Sequence, residues 1–393
     1  MKDALKLILK YIMRFFLKVF WLFPIKEKTI FFMANMGKGY LCNPKYLYQS
    51  MVQDERFKEY KFIWCFIDPE KQDTSLFSER TKLIRKGKKF SFFYHLLTSE
   101  ILVYNCGGFS YAPIRKGQFL IETWHGGGAF KRSGLTVPDK SKSSKRGISI
   151  ASREIKLFLS SSEIATEYVL KQSLDYHGEV LNSGFPRNDM LFHYEETQIE
   201  EIKKRLGIAV DVHIILYAPT FKGSEAHAIN VDTSYEMIQP KMVKETLSEK
   251  YGGQWVFLCR GHQYANQLSI PDQDGDVSSY PDMQELLLAS DVLITDYSSS
   301  VWDFAILKRP AFFFVPDLER YEKKERGFLI PIEKCPGILA HSNEELKDKI
   351  LGFSQAEYDR FLAEFQTFAG SYETGSACET VKKRILSFEK NKH

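Results

Sequence analysis

Five polar residues, Thr295-Asp296-Tyr297-Ser298-Ser299, close the apolar run Val292-Leu293-Ile294, and Trp302 to Leu307 after them read as a helix. Small hydroxyl side chains at a strand-to-helix turn place backbone N–H groups and Ser hydroxyls where a phosphate can sit, and the helix dipole favours the anion. Helix capping by Asp296 or Ser298 needs one such residue, not a run of five. A second group ends the strand-like run Val256 to Cys259. There Arg260 can neutralise a diphosphate, while His262 can donate to a phosphate oxygen, protonate a leaving group, or simply bond a carbonyl at a strand end. The third is Glu122-Thr123-Trp124-His125-Gly126-Gly127-Gly128. Its glycines permit close backbone approach to a ligand, His125 is placed as a general base, and Lys131 and Arg132 suit an anionic acceptor.

Other loops carry less. Tyr217-Ala218-Pro219-Thr220 and Asn182 to Asp189 look like shaped loops whose residue types assign no role. Asp272-Gln273-Asp274-Gly275-Asp276 imitates a metal-holding carboxylate pair but lacks the rest of a calcium loop, and reads as a solvated turn. No metal and no cofactor are expected.

These motifs need elements to hold them. Apolar runs at 29–34, 60–67, 81–84, 101–104, 119–123 and 157–160 predict one series of strands, and runs at 214–217, 255–259, 292–295 and 311–315 a second. Strands alternating with amphipathic helices, in near-continuous apolar runs, indicate an α/β protein with parallel sheets covered on both faces. Ligands of such sheets bind beyond the carboxyl ends of the strands, and all three motifs follow strands directly. The length of 393 residues suits two domains. Their boundary is expected near 185 to 205, with 26–190 and 205–375 as the two domains and 376–393 as a terminal helix.

A net charge of +4 makes no case for nucleic-acid binding. The six cysteines show no CxxC or zinc spacing and fit buried free thiols in a reducing cytosol. Within residues 1–25, Lys2, Lys6, Lys10, Arg14 and Lys18 recur every four positions among Leu, Ile, Phe and Trp. That charge density argues against a spanning helix, and a signal peptide would show a clean apolar block. An interfacial helix on an anionic membrane surface fits best; a helix packed on the core or on a partner is the alternative.

Taken in order, Thr123-Trp124-His125-Gly126, Gly184 to Asp189, Tyr217 to Thr220, Arg260-Gly261-His262, Tyr280 to Leu286 and Leu293 to Asp303 resemble the CDP-glycerol glycerophosphotransferase family of teichoic acid and capsule synthesis. The resemblance spans about residues 100 to 340. It implies a GT-B-like architecture, two Rossmann-like domains facing a cleft, with CDP-glycerol held mainly by the second. By similarity His125 is the base for the acceptor hydroxyl, and His262 a donor-phosphate ligand or leaving-group partner. Ser298 and Ser299 contact the diphosphate, Thr295 and Asp296 shape the turn, and Glu285 approaches the nucleotide. Gly126, Gly127, Lys131, Thr220 and Arg260 complete the expected substrate-contacting set.

The implied reaction moves glycerol phosphate to a hydroxyl of an undecaprenyl-diphosphate-linked or polyol-phosphate acceptor and releases CMP, at the cytoplasmic side of the cell membrane. CDP-ribitol as donor, a nucleotide-sugar glycosyltransferase and a non-catalytic scaffold are the alternatives. Gly127-Gly128-Ala129-Phe130 replaces the family's usual Thr-Pro-type continuation, and Gln263 stands where Pro or Tyr is common.

Overall fold

A computed structural model describes residues 2–138, 140–220, 236–261, 270–324 and 327–390. The chain divides into two units. The first comprises residues 1–125, 133–189 and 371–393; the second comprises 126–132 and 190–370. The division falls after Asp189, and the chain also crosses between the units elsewhere. Residues 126–132 leave the first unit for the second, and the chain returns to the first from 371 onward.

In the first unit the apolar runs form β1 (Lys26–Met33), β2 (Lys61–Phe66), β3 (Thr81–Arg85), β4 (Ser99–Tyr104), β5 (Phe119–Glu122), β6 (Leu157–Ser160) and β7 (Glu179–Asn182). They pair in parallel in the order β3-β2-β1-β4-β5-β6-β7. Every residue of β4, β5 and β6 is buried, as a sheet covered on both faces requires. The aromatic richness of the chain is spent partly here: Phe32 stacks on Trp64 at 5.3 Å and Trp64 on Phe66 at 5.5 Å, with Tyr48 edge-on.

The second unit repeats the plan with β8 (His213–Tyr217), β9 (Trp255–Cys259), β10 (Gly275–Asp276), β11 (Val292–Thr295), β12 (Ala311–Phe314) and β13 (Ile338–Ala340). Their order is β10-β9-β8-β11-β12-β13, again parallel. Both sheets are Rossmann-like. The strand order reverses between β1 and β4 in one and between β8 and β11 in the other, and at such a reversal the loops diverge and leave room for a ligand.

β7, β10 and β13 were not anticipated. β7 is a half-exposed edge strand without an apolar run, and β10 has two residues. Within the acidic stretch 272–276, Asp272 stands in the expected exposed turn, and only Gly275–Asp276 join the sheet edge. Asp274 accepts from Phe257 N at 2.7 Å and pairs with Lys244 at 2.8 Å.

Two helices frame the first unit. Lys2–Leu17 continues into a tight turn at Lys18–Leu22. It is moored by Arg14, which donates to Ser110 O (3.1 Å), Ala112 O (2.6 Å) and the Glu154 carboxylate, and by Trp21 Nε1 on Pro113 O at 3.1 Å. Leu17 and Phe20 are buried, whereas Leu5, Ile8, Leu9, Phe15, Phe16 and Leu22 are exposed. No described helix is long and apolar enough to cross a membrane. The terminal helix Ala377–Lys390 lies on the first unit: Phe388 stacks on Phe119 at 4.3 Å and Lys382 pairs with Asp54 at 2.7 Å. Its first N–H groups, Ala377 and Cys378, are received by Asp189 at 2.9 and 2.8 Å.

Candidate active site

At the carboxyl edge of the first sheet, the loops after β1 and β4 are joined by two amides. Asn105 Oδ1 accepts from Asn35 N at 2.8 Å, and Asn105 Nδ2 donates to Asn35 Oδ1 at 2.9 Å. The backbone carbonyl of Asn105 remains available, and His125 Nδ1 lies 2.8 Å from it. A carbonyl can only accept, so the proton sits on Nδ1 and Nε2 carries the lone pair. The His125 ring is exposed, beyond the end of β5. This is the geometry of an oriented base.

The backbone leading to His125 is unusual. Trp124 has φ of +56°, a left-handed conformation that costs a bulky residue on the order of 1–3 kcal/mol and persists only where surroundings hold it. The surroundings are polar and specific. Trp124 N donates to Glu122 Oε1 at 3.0 Å, and Asn43 Nδ2 donates to Thr123 O and Trp124 O at 2.8 and 2.9 Å. Glu122 is buried, and burial pushes its carboxyl up to about 8 against the pull of the Trp124 N–H. Near neutrality it is mostly protonated. Asn43, Asn105 and the role of Glu122 went unread in the sequence.

In the second unit, β8 and β11 flank the reversal. Thr295 is fully buried and its hydroxyl donates to Ala218 O at 2.7 Å. Asp296 Oδ1 accepts from Thr220 N at 2.7 Å and from Tyr297 N. Both residues therefore shape the turn, and Thr295 has no surface to offer a substrate. Tyr297 points inward, with its hydroxyl on Asp317 Oδ1 at 2.8 Å and its ring stacked on Tyr321. Ser298 accepts from Ser300 Oγ at 3.0 Å and is half-buried. Ser299, also half-buried, opens the short helix Ser300–Phe304 without capping it by its side chain.

Two buried donors complete this edge. Nη1 of Arg260 and Oγ1 of Thr220 have no hydrogen-bond partner among the described residues. Arg260 N is fixed on Tyr217 O at 2.8 Å, so the residue follows β9 right beside the end of β8. Burial lowers the Arg260 pKa, while Asp282 and Tyr280 oppose that effect. A buried guanidinium nitrogen with an unmet donor is costly by itself and suits an anion that arrives from outside. Glu285 receives Tyr280 Oη at 2.6 Å and Arg205 Nη2 at 2.9 Å. His262 and Gln263 lie outside the described residues.

The glycine run packs closely against protein. A Cβ on Gly127 would stand 2.7 Å from Ser299 O and from Trp302 Cβ, and one on Gly128 would stand 2.0 Å from the Trp302 ring. Gly128 also has φ of +51°. These glycines let one protein segment approach another, and Gly127 is itself buried against that segment. Gly126 is half-buried at the start of the same segment, and Lys131 pairs antiparallel with Phe328 within the second unit.

The family profile described as CDP-Glycerol:Poly(glycerophosphate) glycerophosphotransferase matches residues 15–387. The chain belongs to this family. Within the glycerophosphotransferase family, it is 31% identical over 384 residues to the teichoic acid poly(glycerol phosphate) polymerase of Bacillus subtilis (strain 168), covering 93% of this chain but 50% of that protein. The chain thus spans about half the length of that relative. It is 30% identical over 338 residues to the teichoic acid ribitol-phosphate primase of Bacillus spizizenii (strain ATCC 23059 / NRRL B-14472 / W23), covering 82% of this chain and 85% of that protein. A structure of the wall teichoic acid polymerase TagF soaked with CDPG superposes with a TM-score of 0.81 at 26% identity, covering 100% of this chain and 98% of that chain.

The buried Glu122 carries a measurable consequence. Its carboxyl titrates near 4.3 when unfolded and about 8 when folded, so its contribution to stability is full below about 4.3 and is lost as pH rises through about 8. Glu122→Gln keeps the acceptor for Trp124 N and does not titrate. Urea denaturation across pH 4 to 9 is expected to show the variant gaining on the native chain up to about pH 8 and then levelling. A difference that stays constant with pH contradicts the assignment.

Proposed function

We propose that the chain transfers glycerol phosphate from CDP-glycerol to an acceptor hydroxyl and releases CMP, in wall teichoic acid or capsular polymer synthesis. The observation that carries this is the family match through 15–387, laid over a first unit that orients His125 and a second in which Asp296 ties the β8 loop to the β11 turn and a buried Arg260 nitrogen follows β9. Nε2 of His125 takes the proton from the acceptor hydroxyl. The resulting oxygen attacks the phosphorus that bears glycerol, the bond from that phosphorus to the bridging oxygen breaks, and CMP leaves with that oxygen. Arg260, the Thr220 hydroxyl, Ser298 and Ser299 offset the charge that builds on the phosphoryl oxygens. Little covalent chemistry falls to the protein, so positioning and neutralisation supply most of the rate.

We infer that the N-terminal helix lies on an anionic membrane surface on the cytoplasmic side, where a lipid-linked acceptor is delivered. Its exposed Leu5, Ile8, Leu9, Phe15 and Phe16, interleaved with Lys6 and Lys10, support this.

His125→Ala is expected to lower CMP release from CDP-glycerol with a lipid-linked acceptor at least a thousandfold, as loss of an essential base does. Near-full turnover would remove His125 from the mechanism. CDP-ribitol run in parallel identifies the donor polyol: a faster rate with it would move the chain to the ribitol branch. For the membrane helix, Phe15→Glu with Phe16→Glu is expected to abolish co-sedimentation with phosphatidylglycerol vesicles that the native chain shows. Equal sedimentation of both would contradict the membrane assignment.

A further inference from the structure

We propose that Asn43 is a positioning residue for His125, holding the turn Thr123–His125 in the left-handed conformation that presents Nε2. The inference rests on His125 as the base. Asn43 is wholly buried in the first turn of the helix Cys42–Val52, 80 residues before the turn it holds. Its amide is fully used. Nδ2 donates to Thr123 O (2.8 Å) and Trp124 O (2.9 Å), and Oδ1 accepts from Arg187 N at 3.1 Å.

Two successive carbonyls directed at one donor are what the left-handed Trp124 produces, and an extended strand would send them to opposite sides. The amide therefore selects that conformation over the extended one. Few side chains can replace it: Asp has no donor, Ser has a single O–H, and Gln is a methylene longer in a closely packed site. Through Arg187 N the clamp extends to the loop Phe185 to Asn188. That loop is itself tied to Glu373, which receives Phe185 N at 3.2 Å and Asn188 Nδ2 at 2.9 Å. Misplacement of a reacting group by about 1 Å can cost on the order of a hundredfold in rate.

The test is a double-mutant cycle on the full chain with CDP-glycerol and a lipid-linked acceptor, reading CMP release. Asn43→Ser is expected to lower kcat about tenfold to hundredfold, with KM for CDP-glycerol within about twofold, because the donor edge is in the other unit. In a His125→Ala background the same substitution is expected to leave the residual rate, followed over hours, unchanged within about twofold. Loss by the same factor in both backgrounds would show that Asn43 acts on the fold at large, and an unchanged kcat in Asn43→Ser would show no role; either overturns the proposal. Should Asn43→Ser fail to fold, Asn43→Asp, which keeps the volume and sets a carboxylate against the two carbonyls, takes its place under the same criteria. Near-full turnover by His125→Ala alone refutes the base assignment instead, and so distinguishes the two failures.

Discussion

One carboxylate oxygen gathers the N–H groups of Thr220 and Tyr297 where the strand order of the second sheet reverses. Loops on the two sides of such a reversal run apart, and their first N–H groups have no ladder partner. Asp296 meets that need from within the sequence of the turn. It thereby fixes the β8 loop and the β11 turn as one piece, with the half-buried Ser298 and Ser299 following at once. The first sheet meets the same topological problem with an amide pair, Asn35 and Asn105. The Asn105 backbone carbonyl in turn accepts from His125 Nδ1, and so the reversal also orients the His125 ring.

The two solutions suit the two duties proposed for them. A base needs one ring nitrogen occupied and the other open, and an uncharged anchor does this without adding charge beside the imidazole. A phosphate edge needs donors, and the second unit holds a buried guanidinium nitrogen of Arg260 and a buried Thr220 hydroxyl that have no partner among the described residues. Unmet buried donors are expensive in a folded protein, and two of them follow the ends of β8 and β9. In the first unit Trp124 is held at positive φ by a partner distant in sequence.

Much of this was legible in the sequence, because long apolar runs bounded by turns can hardly be anything but buried parallel strands. β4, β5, β6, β9 and β11 were all read from such runs. β7 was not, since an edge strand with exposed Glu179 and Asn182 carries no apolar signature. His125, Arg260 and the Ser-rich turn could be found because chemistry-bearing residues at strand ends stand out. Asn43 and Asn105 could not: each acts through a contact 20 or more residues away, and an asparagine in a helix or loop has many ordinary uses. The glycines at 127 and 128 were legible as close-approach residues, but the partner, Trp302, lies 174 residues beyond Gly128 and no local pattern announces it.

The central claim is that the phosphorus bearing glycerol moves with it and CMP is the leaving group. Incubation of the chain with CDP-glycerol labelled at that phosphorus, and a lipid-linked acceptor, tests this most directly. The account predicts label in the acceptor product as a phosphodiester and unlabelled CMP in solution. Label retained on released CDP, with glycerol alone transferred, would contradict it.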